Sequence, residues 1–322
     1  MQPLERGRLG VAVALQSGES AMSLMLRAFQ ANGVGYEEGM RWMGLDRRQA
    51  IGEGEVAALA WALHTDFEEI RSRIALLEGR SAGRWVQLAG QRLSRWIAPT
   101  TMLAKLCPAC LRETGYARVE WLIRAVPACE KHGYSVIRDC AHCGRPIRWA
   151  RPGVRICQCG RFFKQSADPI PIEPELGAWL KWTAAVMAGS VSSACAATKD
   201  LPVLLHGMTI DGAFRLIEVF GLKDAPGTPV RGLRHSSASM VDVGKMLVRG
   251  IQRLACVGQP NDACRMDFEL AHLPVLHELA DAPASDADGL RAAWLLDVHR
   301  SNSLAGPARV GTRPRRQLPL FL

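Results

Sequence analysis

At 322 residues the chain exceeds what a single core usually holds, since cores rarely grow past ~250–300 residues, so two or three domains are expected. A hydrophobic content of 48% with 22% charged residues excludes a disordered chain, and no run approaches the ~18 consecutive apolar residues of a membrane helix, so a soluble cytoplasmic protein is expected. The net charge of +9 is unevenly placed: residues 79–112 and 140–167 carry no acid, whereas residues 267–297 carry seven acids against Arg291 alone. Such asymmetry suggests an anionic partner at one end.

In chain order, residues 1–18 read as an irregular arm. Residues 20–31, rich in Met, Leu, Ala and Phe, predict a helix that stops at Asn32-Gly33, where a left-handed backbone is tolerated. A shorter helix follows over 36–43, closed by Gly44. Residues 55–63 place Val56, Leu59, Ala60 and Leu63 on one face, and Thr65-Asp66-Phe67-Glu68 supplies a capping box for a further helix through about Leu77. Two amphipathic helices on a short turn form a helix-turn-helix candidate. Arg71 and Arg73 on its second helix could face a DNA groove, but Glu68 and Glu69 beside them weaken that case, and a plain helical hairpin fits as well. With Leu59, Leu63, Phe67, Ile70 and Ile74 packed inward, Glu68, Glu69, Arg71 and Arg73 remain as a mixed-charge patch suited to protein pairing. Residues 79–100, with Trp85 and Trp96 as core residues, are expected to pack this region against the cysteine-rich stretch next in the chain.

Seven of the ten cysteines lie between positions 107 and 159. The pattern is Cys107-x2-Cys110, Cys129-x2-His132, Cys140-x2-Cys143 and Cys157-x-Cys159, four close pairs of the kind that hold two tetrahedral zinc ions. Each group of four supplies a complete set of protein ligands, so both sites are expected to be closed and structural. Disulfides would need an oxidising compartment, and the chain starts with no leader-like segment. Sequential pairing competes with a cross-braced arrangement, and the short gap after His132 suits two consecutive ribbons better. His142 reads as a bystander. Between the pairs, residues 116–126 and 147–156 have the texture of short strands, with Trp121 and Trp149 covering the sites.

Residues 168–174 form a proline-rich joint, and helices are expected over 175–187, 211–220 (capped by Thr209), 242–256, 270–279 and 288–300, with a linker over 223–239. The fold class is thus mainly α with small β zinc ribbons. The expected domains are a helix-turn-helix domain over 1–104, a double zinc-ribbon module over 105–168 and a helical domain over 169–322. Cys195, Cys256 and Cys264 lack partners at ligand spacing. The tail over 309–322 is basic and then apolar. In the acid-free stretch, Arg145, Arg148, Arg151, Arg155, Arg161 and Lys164 are the candidate nucleic-acid contacts, a reading favoured over the alternative that arginines there merely solvate the surface and balance zinc-bound thiolates.

No glycine-rich loop ends in Gly-Lys-Ser/Thr, no His-Glu-x-x-His occurs, and the deaminase pairing of His-x-Glu with Pro-Cys-x-x-Cys is absent. A non-enzymatic chain without a small-molecule substrate is expected.

Leu106-Cys107-Pro108-Ala109-Cys110-Leu111, then Tyr116, Arg118 and Trp121, then Cys129-Glu130-Lys131-His132-Gly133 and Cys140-Ala141-His142-Cys143-Gly144 resemble the signature of the TniQ family, which includes TnsD. Upstream, Pro3-Leu4 and Glu19-Ser20-Ala21-Met22-Ser23-Leu24 are similar to that family's opening helix. The resemblance implies a bacterial transposition adaptor that selects targets and recruits an AAA+ ATPase of the TnsC or TniB type, with the N-terminal helices as a docking surface. The target it implies is either a fixed DNA site or a CRISPR Cascade-type ribonucleoprotein, and a second copy of the chain is a further candidate partner. A stand-alone zinc-dependent DNA-binding regulator and a zinc enzyme are the competing classes.

Overall fold

The computed structural model describes residues 7–45, 51–78, 85–98, 103–164, 172–225, 238–256 and 270–304. The basic tail, Cys264, and most of the proline-rich joint and of the 223–239 linker lie outside the described residues.

The chain opens with α1 (Ala21–Ala31), whose N-cap Ser20 accepts from the Ser23 amide and whose C-terminus turns at Asn32 and Gly33, the latter at φ 65°. Helices α2 (Tyr36–Trp42) and α3 (Glu53–Ala62) follow. Then comes α4 (Phe67–Arg71), capped by Asp66, which accepts from the Glu68 and Glu69 amides. The helix expected to run to about Leu77 therefore stops at Arg71. Ile74 and Leu76 are buried with exposed Leu77 after them, and the chain takes up strand β1 (Leu76–Leu77) in place of further helical turns. β1 pairs antiparallel with β2 (Trp85–Leu88), and β2 with β3 (Gln91–Ser94). The β2–β3 turn is Ala89-Gly90 with φ of 53° and 72°, the positive pair that a twisted two-residue hairpin requires. Trp85 and Trp96, expected in the core, are half-exposed. Each carries an arginine on its face, Arg92 and Arg95 respectively, both 4.2 Å from the ring centroid.

Two apolar clusters result. The smaller is built from α1 to α4 and includes Leu24, Met25, Phe29, Leu59, Leu63, Ile70 and Ile74. The larger runs without a break from Leu26 and Leu93 through the cysteine-rich region to the C-terminal helices. Its centre is α8 (Ile210–Gly221), every residue of which is buried. Against it pack α9 (Met240–Cys256), α10 (Leu273–Asp281) and α11 (Asp286–Leu304); α6 (Pro174–Met187) reaches it through Trp179, and α7 (Val191–Thr198) packs on α6. A Cβ at Gly221 would run into the Met246 carbonyl, and one at Gly250 into the Ile217 carbonyl, so glycine allows α8 and α9 to cross backbone against backbone.

Polar side chains fix the packing. Thr209 caps α8, and buried Asp288 accepts from the Thr209 amide (3.0 Å) and hydroxyl (2.7 Å). Asp211 accepts from the Ser94 amide at 2.7 Å and faces Arg215, tying the hairpin to α8. Part of the acidity at 267–297 is thus internal: Asp288 is buried, and Glu278 accepts from the Trp96 indole. Trp179, fully buried on α6, donates to the Ala125 carbonyl at 2.8 Å and packs 5.2 Å from Trp182 and 6.4 Å from Phe214. Because this indole joins the cysteine-rich region to the helices, Trp179→Ala should cost roughly 3–5 kcal/mol. Denaturant unfolding of the metal-loaded chain, followed by far-UV circular dichroism and by metal release, should show both signals moving together to lower denaturant.

Candidate metal centres

Cys107 is the N-cap of α5 (Pro108–Thr114), and Cys110 lies in that helix's first turn. Pro108 at the first helical position has its φ set for the helix and no N–H to leave unsatisfied. Cys129 and His132 come from a tight turn whose Gly133, at φ 68°, donates its N–H to the Cys129 carbonyl at 3.0 Å. His132 Nδ1 is 3.6 Å from Cys107 Sγ, 3.2 Å from Cys110 Sγ and 3.5 Å from Cys129 Sγ, and the Cys110 and Cys129 sulfurs are 3.5 Å apart. Zn–S bonds of ~2.3 Å and Zn–N bonds of ~2.0–2.1 Å set tetrahedral edges of about 3.8 Å between sulfurs and about 3.6 Å between sulfur and nitrogen. The four atoms already stand near those separations.

The second cluster repeats the device. Gly144 (φ 67°) closes the Cys140–Cys143 knuckle with a 2.8 Å bond to the Cys140 carbonyl, and Gly160 (φ 78°) closes the Cys157–Cys159 turn with a 2.9 Å bond. Cys140 and Cys159 sulfurs are 3.9 Å apart, and those of Cys143 and Cys157 are 3.8 Å apart. In each cluster all four ligand atoms lie within 4.8 Å of one another, and the grouping is sequential along the chain. The two clusters could each hold one zinc ion.

The expected strands are reduced to single bridges, among them Leu106 with Ile137, Ala128 with Ser135, and Asp139 with Pro146. Within residues 116–126 the chain forms a 3-10 turn, Val119–Leu122, in which Val119, Glu120 and Trp121 are buried one after another, a pattern that a strand with one solvent face does not provide. Trp121 and Trp149 are buried, as expected, and His142 is exposed.

Sulfurs held this close cannot ionise independently. Hydrogen bonds from Cys110 and Cys129 hold the Cys107 thiol down to about 3, and the same contacts push Cys110 up. Hydrogen bonds from the Arg145 backbone and side chain hold Cys143 down to about 6, whereas burial pushes Cys157 up to about 12. A divalent soft cation is what lets all the sulfurs of one cluster become thiolates together.

Glu113 was not singled out by the sequence. Its Oε1 lies 2.8 Å from His132 Nε2, and Lys131 bonds its other oxygen. Those two hydrogen bonds hold the Glu113 carboxyl at about 2. Burial would lower the His132 imidazolium, yet bonding to Glu113 and to the Cys129 sulfur outweighs it and raises it. A carboxylate on the far nitrogen fixes which imidazole nitrogen faces the metal. The signal was present: Glu113 follows Cys110 by three residues on one helix, which puts both on the same side.

The candidate nucleic-acid residues divide. Arg145, Arg148, Arg155, Arg161 and Lys164 are exposed around the second cluster, with Arg155 donating to the Arg112 carbonyl at 3.2 Å. Arg151 does not belong with them. It is only 3% exposed and donates to the Arg148, Gly153 and Val154 carbonyls, with its guanidinium against Trp149 and Phe163. Burial lowers it to about 9, so it is a charged internal brace at neutral pH.

The expected docking residues also divide. Glu68 and Glu69 are exposed, and exposed Arg71 pairs with Glu53 at 3.1 Å and Glu68 at 3.9 Å. Arg73 turns inward and donates to the Gln16 carbonyl at 2.6 Å, so it is removed from the patch. Trp61 is 51% exposed on α3, with Arg8 over its ring. At ~100° per residue it falls opposite Val56, Leu59 and Leu63, which was readable from the helix.

Residues 11–136 match the model of the TniQ family. Those residues form a TniQ domain. The TniQ match takes in α1 to α5 and the whole first cluster and ends before Cys140, so the second cluster and α6 to α11 lie beyond it. TniQ proteins are associated with target selection in DNA transposition. No curated protein matches the chain. Among the described residues no helix is long and apolar enough to cross a membrane.

Metal analysis of the purified chain should give two zinc equivalents, and Glu113→Gln should weaken the first site by ~10–100-fold while sparing the second. Competition with a colorimetric chelator reads both; equal weakening of the two sites would rule out the assigned role of Glu113.

Proposed function

We propose that this chain is a non-catalytic adaptor of DNA transposition, joining a target-recognising element to an AAA+ ATPase of the TnsC or TniB type and through it to the transposase. The TniQ match over residues 11–136 carries the reading. The metal geometry supports it: four protein ligands at each cluster leave no open position at which a zinc-bound water could act, so the ions would serve architecture. In this role the eight ligands, Cys107, Cys110, Cys129, His132, Cys140, Cys143, Cys157 and Cys159, hold a rigid centre between two surfaces.

The first surface is the patch of Glu68, Glu69 and Arg71 on α4, with Trp61 on the neighbouring helix. It is mixed in charge with one large apolar side chain, a composition that favours specific protein pairing. The second is the set Arg145, Arg148, Arg155, Arg161 and Lys164, which suits the phosphates of a DNA target or of a CRISPR Cascade-type ribonucleoprotein.

A pull-down of the full chain with an AAA+ ATPase of the TnsC or TniB type, paired with a transposition assay, tests the adaptor reading. Reversing Glu68 and Glu69 to lysine should reduce ATPase capture and transposition together while zinc content stays at its native level. An ATPase captured equally well by both proteins would move the docking surface elsewhere. On duplex DNA, joint Arg145→Ala, Arg148→Ala and Arg155→Ala should reduce the salt slope of binding by ~0.9 for every phosphate no longer neutralised. An unchanged affinity and slope would remove this face from the account.

A further inference from the structure

Between the end of the β-hairpin and the chain leading into the second cluster lies a cleft of about 170 Å³. Its charged walls are Arg95, Lys105, Arg124 and Arg138, with Asp139 as the acid among the lining residues. Backbone carbonyls hold most of these cations in place. Lys105 donates to the Ile123 and Val126 carbonyls, the latter at 3.0 Å, and Arg138 to the Ala238 carbonyl at 2.9 Å. Arg124 reaches the Trp96 carbonyl and Glu218, each at 3.4 Å, and Arg95 stacks on Trp96. A carbonyl orients a cation without cancelling its charge. Burial and the nearby arginines pull Lys105 down to about 7, so it is only partly charged at neutral pH; with Glu218 set against Arg124, the positive excess rests on Arg95 and Arg138 against Asp139. Its floor is apolar, formed by Ala98, Leu103, Leu122 and Met240, and Leu103 is 36% exposed.

Three observations decide what such a cleft takes. Its volume lies below the ~300–1,000 Å³ of ordinary small-molecule sites and suits one large side chain. The Trp96 ring carries Arg95 on its face and its N–H is engaged by Glu278, so it is poorly placed as a platform for a base. An apolar floor ringed by pre-positioned cations matches an apolar anchor flanked by carboxylates, with little ordering cost on the protein side.

We propose that this cleft docks an acidic peptide segment of a partner protein, inserting one apolar side chain against Leu103 and Met240 while its flanking carboxylates meet Arg95 and Arg138. The proposal rests on the adaptor reading for its biological setting and names a second protein-docking site, separate from the α4 patch and from the exposed arginines of the second cluster.

The test uses the full zinc-loaded chain and three labelled probes: a short peptide of aspartates around one central leucine, the same peptide with glycine at the centre, and single-stranded oligothymidine. Fluorescence anisotropy should show the leucine peptide binding most tightly and weakening with salt. Arg95→Glu with Arg138→Glu should reduce that affinity by about tenfold or more. Leu103→Asp, a change at a partly exposed position, should do the same with native zinc content and melting temperature. Equal binding of the leucine and glycine peptides would overturn the proposal, as would unchanged affinity in both variants. Oligothymidine displacing the peptide and losing its own binding in the variants would overturn it in favour of nucleic acid. Because binding is read without ATPase or transposase, a failure here leaves the adaptor assay standing, and a failed adaptor assay leaves this measurement standing.

Discussion

Seven sulfurs and one imidazole, drawn into two tetrahedral groups, are the constraint on which the middle of the chain depends. Among the described residues the central region has bridges and short turns in place of extended strands or long helices, so little regular backbone bonding holds it. Its apolar residues are buried, but they are buried around ligand turns. Opposed shifts of neighbouring thiols, with Cys107 driven down and Cys110 driven up, express how poorly such sulfurs coexist without a shared cation. Folding free energy in small domains of this kind comes largely from ligation, with apparent zinc binding of ~10–16 kcal/mol.

The same apolar cluster continues into the C-terminal helices, and this makes the metal region more than an inserted module. Trp179 reaches Ala125, Arg124 reaches Glu218, and the hairpin is tied to α8 through Ser94 and Asp211. α8 is buried on all sides, which for a twelve-residue helix requires neighbours on every face. The hairpin and three helices supply those neighbours, and glycines at the α8–α9 crossing remove the side chains that would hold the backbones apart.

The two clusters of candidate ligands were legible because metal chemistry demands particular residue types at particular spacing. Cys-x2-Cys and Cys-x2-His have few other uses outside an oxidising compartment, and the glycine after three of the four pairs marks the left-handed turn that finishes a knuckle. The long helices were legible from their apolar faces and from caps such as Ser20 and Thr209. What escaped was decided by tertiary neighbours. Arg151 reads like the arginines around it, and only the carbonyls of its own loop and the rings of Trp149 and Phe163 reveal a buried brace. Arg73 was lost to a carbonyl 57 positions earlier in the chain. α4 was overextended because a strand of two residues leaves no periodicity to detect, and Trp85 and Trp96 were assigned to a core on the strength of residue type alone. Glu113 and Trp61 were within reach had each helix been read all round.

Helix α1 stands in both apolar clusters. Leu24, Met25 and Phe29 belong to the N-terminal one, while Leu26 belongs to the larger one. At its start the Ser20 amide donates to the Ala117 carbonyl at 2.9 Å and the Ser23 hydroxyl accepts from the Ala117 amide at 2.8 Å, seven residues past the first ligand pair. The helix is thus a party wall, with different tenants on its two sides. The N-terminal helices cannot be lifted away as a free unit without stripping Leu26 and the Ala117 amide from the metal region. A pull exerted on them by a bound protein would arrive, through one short rigid rod, at the chain beside Cys110.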